Sequence, residues 1–241
     1  MLSIRKFFAK LRDDISGSII VEFAFMMPIF MVLTVGGVEV ANYAVTRMRV
    51  EQIALNVADS ASRIGEGSLL NALRIFEHNI NDVFAGANAQ ASNLNIYGTY
   101  SERIGATSTV KGKSRIIISS LEPMANPNPT SRYRIGWQRC QGQLTSYTPQ
   151  YGTFGQPSGT NMVDMGPTGQ KVTVPNGMAV IFVEVRYRYE PLFRVELQNK
   201  FDLFNGSLSY KDINAVKAMI VRDDRDTTQI FASPGVTAST C

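Results

Sequence analysis

Gly17-Ser18-Ile19-Ile20-Val21-Glu22-Phe23-Ala24-Phe25-Met26-Met27-Pro28, prolonged by Ile29, Phe30, Met31, Val32 and Leu33 as far as Val38, is the stretch on which the fold turns. About 20 apolar residues at 1.5 Å rise each cross a hydrocarbon core, so this run is long enough for a transmembrane helix. One residue breaks the pattern. Glu22 puts a carboxylate into the run, where insertion costs roughly 2.5 to 3.5 kcal/mol and where ionisable side chains have partners and tasks. The plainer alternatives are that Glu22 snorkels to the headgroups or is protonated.

Towards the N-terminus, the first 17 residues carry Arg5, Lys6, Lys10 and Arg12 against Asp13 and Asp14. A basic flank favours the cytoplasmic side, which would export the bulk of the chain. Arg47 and Arg49 beyond the span weaken that orientation, because the rule counts Lys and Arg rather than net charge. A secretory signal peptide fits poorly: its apolar core is about 7 to 15 residues and ends at a small-x-small site. Gly17-Ser18-Ile19-Ile20-Val21-Glu22 reads more economically as a processing site placed before the apolar run.

A short basic leader ending in Gly, then four residues, then Glu within an apolar helix resembles the class III signal of type IV prepilins and pseudopilins. The continuation from Val21 to Pro28, with Gly37 and Glu39 further on, is similar to the TadE-like family of tight-adherence (Tad) pilus pseudopilins. The resemblance covers roughly residues 15 to 45. It implies that a prepilin peptidase cuts after Gly17, that Ser18 becomes a free N-terminal amine, and that Glu22 neutralises the amine of a neighbouring subunit. Such pairing in a low-dielectric setting offsets the desolvation of a lone carboxylate. The helix surface carrying Glu22, Phe23 and Pro28 is then the assembly surface. Pro28 lacks an amide proton and crowds the preceding turn, so it is expected to bend or loosen the helix. Gly36, Gly37 and Ala41 form a patch of small residues that lets helices approach.

Beyond the span, Val50, Ile53, Val57, Ala61 and Ile64 recur at helical spacing, so one helix is expected from about Ile15 to Ile64, ended by Gly65-Glu66-Gly67. A second helix is expected from about Leu69 to Phe84, with Leu69, Leu73, Phe76 and Ile80 on one face and His78 on the surface. Ala85 to Asn95 has a linker composition. Strands are expected at Arg115–Ser119 and Tyr133–Cys140, and most clearly at Ile181–Tyr189, where Glu184, Arg186 and Arg188 alternate with apolar residues as one solvated face. Residues 141 to 177, rich in Gly, Pro, Thr, Ser and Gln, read as a long surface excursion. Ser209 to Arg222 fits either period poorly, and a strand is favoured.

The fold class expected is α+β: a basic leader (1–17), a long pilin-like N-terminal helix (18–65, transmembrane over about 19–41) and an extracytoplasmic domain with an antiparallel sheet (66–241). With 18% charged and 44% hydrophobic residues and a net charge of +4 without a basic block, nothing indicates nucleic acid. Two cysteines, Cys140 and Cys241, and one histidine cannot form a four-ligand zinc site without carboxylates. Outside the cytoplasm a disulfide between them is the better reading, two free thiols the alternative. There is no GxSxG, HExxH, P-loop or dinucleotide motif, and the paired acids Asp13-Asp14 and Asp223-Asp224 read as solvated. An enzyme is not expected, and no cofactor.

The resemblance implies a single-pass inner-membrane protein with its N-terminus cytoplasmic and its domain periplasmic, structural in pilus biogenesis, priming or capping the filament. The partners it implies are prepilin peptidase, other Tad pseudopilins and the major pilin, the inner-membrane assembly platform and membrane lipid. The alternative is a membrane-anchored adhesin or binding protein whose 141 to 177 excursion carries recognition.

Overall fold

A computed structural model of the chain describes residues 16–67, 72–91, 93–104, 107–192, 211–222, 224–227 and 229–241. The leader up to residue 15, Leu69, Ser209 and Asp223 lie outside the described residues. Helix α1 (Ser16–Arg63) is followed by α2 (Glu77–Gln90), β1 (Thr99–Ile104), β2 (Thr107–Gly112), β3 (Ser114–Pro123), β4 (Tyr133–Gln141), a short 3-10 turn (Pro157–Gly159), β5 (Val180–Tyr189) and β6 (Lys211–Ile220). The chain divides into two units: one holds Met1–Ala44 and Pro191–Leu208, the other Val45–Glu190 and Ser209–Cys241.

In the first unit every apolar side chain from Ile19 to Leu33 is exposed, with Ile19 at 72% and Phe25 at 75%. Water would not tolerate such a surface, and the helix is long and apolar enough to cross a membrane. Pro28 sits inside α1 without ending it. Thr34 Oγ1 donates to the Phe30 carbonyl at 2.8 Å, keeping a polar side chain satisfied on the helix itself.

In the second unit the helix changes character. Thr46, Val50, Ile53, Ala54, Val57, Ala58 and Ala61 are buried at three- and four-residue spacing, the stripe the sequence predicts. The helix stops at Arg63, and Gly65 turns at φ +151°, where a Cβ would fall 2.9 Å from the Leu73 Cβ. The guanidinium of Arg225 donates to the carbonyls of Ala61 (3.2 Å) and Ser62 (3.0 Å), taking up orphan acceptors at the end of α1.

The main sheet is antiparallel in the order β4-β3-β5-β6, and β1 and β2 form a separate hairpin. Its two faces can be read off two adjacent cross-strand rows. Arg139, Ile118, Val183 and Lys217 share one row, and its charged ends pair with the helices: Arg139 with Glu77 of α2, Lys217 with Glu51 of α1 at 3.7 Å. The next row, Cys140, Ile117, Glu184 and Val216, points to the opposite face. There Leu144 and Tyr147 pack on Ile117 and Cys140, while Met165 and Val174 pack with Leu121, Val180 and Phe182. Ile116, Ile117, Ile118 and Phe182 are wholly buried, each side chain contributing roughly 1.5 to 3 kcal/mol.

Four expectations need correction. The second helix begins at Glu77, because Leu73 and Phe76 are extended and bridge to Arg225 and Phe231. Its C-terminal half occupies the supposed linker, with Ala87 buried in α2 and Ala91 at its C-cap. Residues 141 to 177 are not a free surface excursion, since Leu144, Tyr147, Met165 and Val174 make them the lid of the sheet's second face. That lid also buries Glu184 completely, and Arg186 and Arg188 are only partly exposed, both paired with Asp212.

The segment 209–222 is a strand where described, β6. Cys140 and Cys241 form a disulfide across a separation of 101 residues. The C-terminal segment is held further by a hydrogen bond from the Cys140 amide to the Ser239 carbonyl at 2.8 Å.

Candidate functional site

The residues that the sequence assigns to processing and assembly, Gly17, Ser18, Glu22, Phe23 and Pro28, all belong to α1. Gly17 and Ser18 belong to the N-terminal end of α1 as described. Glu22 follows Ser18 by four residues, one helical turn and about 6 Å along the axis. Its side chain is exposed, and Phe23 beside it is 62% exposed. Among the described residues no contact accounts for a carboxylate in this apolar surface. Glu39 is different: its Oε2 accepts the Leu192 amide at 3.1 Å. A Cβ added at Gly36 or Gly37 would meet nothing within 4 Å, so the small-residue patch faces open space.

The chemistry available on this stretch is that of association. An unbroken apolar helical surface presents one acid at its N-terminal end. A cationic group of matching height would neutralise it, and shape would do the rest. Among the described residues no group of three or more His, Cys, Asp or Glu is arranged to hold a metal.

His78 is not the plain surface residue expected. Its Nε2 lies 2.6 Å from Glu66 Oε1 and its Nδ1 2.8 Å from Ser233 Oγ. The Ser233 hydroxyl also accepts the His78 amide at 3.4 Å, and the Phe231 carbonyl accepts that of Glu77 at 3.0 Å. The cluster therefore closes the N-terminus of α2 with residues from the far end of the chain. Hydrogen bonds from Asn79 and His78 hold the Glu66 carboxyl below its ordinary range.

Two buried carboxyls in the second unit escaped the sequence reading. Glu184 accepts the Gln150 amide at 3.0 Å and the Tyr147 hydroxyl at 3.4 Å through Oε2, and burial pushes it up to about 7. Glu122, also driven up to about 7 by burial, accepts the Ser120 hydroxyl at 3.0 Å. It fits only because β3 and β4 slip register between Ser120 and Leu121, which leaves Gly136 unpaired in a bulge. A Cβ at Gly136 would lie 2.0 Å from Glu122 Oε1. The available signals were an acid within the apolar run of β5 and a glycine within the alternation of β4.

Residues 17–59 match the family model described as TadE-like protein. The match begins at the glycine of the expected processing site and ends inside the buried stripe of α1. Neither the curated proteins nor the solved structures yield a match to the chain. The family match supports a pilin-like role associated with the tight-adherence pilus and association with other pilus components. The likeness to TadE-like proteins is thus confined to residues 17–59, the greater part of α1.

Proposed function

We propose that the protein is a structural minor pseudopilin of the tight-adherence pilus, cut by prepilin peptidase between Gly17 and Ser18 and inserted once in the inner membrane with its domain in the periplasm. It assembles with other pseudopilins and the major pilin through α1, at the inner-membrane assembly platform, and primes or caps the filament. It is not an enzyme. The observation that carries this reading is the coincidence of the family match with the exposed apolar stretch of α1 from Ile19 to Leu33, whose one acid, Glu22, stands one turn from Ser18.

The division of labour follows from physics. Removal of the leader creates an ammonium at Ser18, and a neighbouring subunit's Glu22 pairs with it in a medium of low dielectric, where a wrong register leaves both charges unpaired. The apolar side chains around Glu22 supply packing but little register. Glu22→Ala should therefore insert normally in the membrane and fail in assembly, read as loss of surface pili at unchanged protein level. Undiminished piliation would refute the pairing. The rival reading, an anchored adhesin recognising its target through residues 141 to 177, is disfavoured by the burial of Leu144, Tyr147, Met165 and Val174 against the sheet.

A further inference from the structure

A cleft of about 570 Å³ opens at the end of the sheet where β3 and β6 finish and β5 begins. Its size lies within the range of about 300 to 1,000 Å³ usual for ligand sites. Glu122 lines it with a side chain only 2% exposed. Oε1 of this residue is satisfied by Ser120, whereas Oε2 has no hydrogen-bond partner. Buried polar atoms in folded proteins are almost always paired, so an orphaned carboxyl oxygen facing a cleft calls for a partner that arrives from outside.

Two guanidinium groups share the cleft. Arg134 Nη2 stands 3.7 Å from Glu122 Oε2, and Arg222 Nη2 stands 3.8 Å from Asp59 Oδ1. Both separations are too long for hydrogen bonds, and both side chains are about half exposed, so their planar forks present donors to the cleft. Arg225, by contrast, is committed to the end of α1. Met124, Met178 and Val221 supply apolar walls, the methionines being adaptable in shape. Near neutral pH much of Glu122 holds its proton, which turns Oε2 into a donor.

We propose that this cleft binds a carboxylate, gripped by the guanidinium groups of Arg134 and Arg222, with Glu122 as its hydrogen-bond partner at the floor. Planar forks suit a carboxylate bidentately. An ammonium would face two like charges, and Asp224 at the rim disfavours a group that concentrates two negative charges on itself, as phosphate does. The carboxylate comes either from a free small acid or from an acidic side chain of a partner polypeptide; the recognition is the same. The inference stands on the cleft alone and does not depend on pilus assembly.

The test is calorimetric titration of the full chain in detergent micelles with succinate, with a Glu-Leu-Glu peptide carrying a C-terminal amide, with its Gln-Leu-Gln counterpart and with inorganic phosphate. Succinate or the acidic peptide should saturate one site, and the glutamine peptide should not. The double variant Arg134→Gln/Arg222→Gln should weaken binding about tenfold or more at an unchanged melting temperature, since both side chains are exposed. In the native chain affinity should fall as pH rises through about 7, with Glu122 as the titrating group amid Arg134, Arg222, Asp224 and Arg225; Glu122→Gln should abolish that fall. Tighter binding of the peptide than of succinate assigns the carboxylate to a polypeptide, the reverse to a small acid. The proposal is overturned if neither acid binds, if the glutamine peptide or phosphate binds as well, or if the arginine double variant binds undiminished.

Discussion

Glu184 in the centre of β5 accepts the backbone amide of Gln150 at 3.0 Å, so a carboxyl with no exposed surface is held by the excursion that covers it. The lid over the sheet's second face is thereby coupled to the protonation of a single core residue.

The coupling sets a pH dependence. Glu184 and Glu122 are both raised by burial from 4.5 to about 7 in the folded chain. The folded state thus holds protons that the unfolded chain releases, and stability falls as pH rises from about 4.5 through about 7, by roughly 3 kcal/mol for each group. Urea unfolding near pH 5 and pH 8 should show the second unit weaker at the higher pH. Glu184→Gln should remove about half of the dependence and leave the share of Glu122; an undiminished slope in that variant would exclude Glu184 as a source.

The disulfide should matter more than its position at the chain end suggests. Cys140 and Cys241 close a loop with a separation of 101 residues, for which the chain-entropy model gives about 4.7 kcal/mol. Cys241→Ser, or reduction of the native chain, should lower the melting temperature markedly and free the segment that caps α2. Hydrogen exchange at the Glu77 and His78 amides, which bond to Phe231 and Ser233, checks the second effect.

Gly136 should be intolerant of the smallest side chain. Gly136→Ala drives a methyl group into the Glu122 carboxyl and is expected to cost about 1 to 3 kcal/mol. Glu122→Ala in the same chain should relieve most of that clash. A double-mutant cycle on denaturation midpoints measures it, and simple additivity would show that the two residues do not meet as described.

Much of this architecture was legible in local patterns. The apolar run and the stripe from Val50 to Ala61 are periodic signals, and α1 follows them to within a residue or two. Ile181 to Tyr189 alternates cleanly and is a strand. Alternation, however, says which side a residue faces and nothing about what covers that side. Glu184 therefore read as solvated, although residues 141 to 177 fold back over it.

Leu73 and Phe76 show the same limit from the other direction. Their spacing suits a helix, but their backbones pair with Arg225 and Phe231, about 150 residues away, and those distant bonds override local preference. The cleft was invisible for a related reason: it is assembled from four separate stretches of chain, none with a motif of its own. The proposed assembly surface, in contrast, lies on one contiguous helix, so its acid, proline and preceding glycine stand in order in the sequence.

Assembly by this route turns on one peptide bond, between Gly17 and Ser18. Intact-mass analysis of the protein extracted from the membranes of a cell that assembles tight-adherence pili should give the mass of a chain beginning at Ser18, and Gly17→Val should shift it to the uncut form and abolish piliation. A membrane-extracted chain that retains Met1 in a piliated cell would contradict the account.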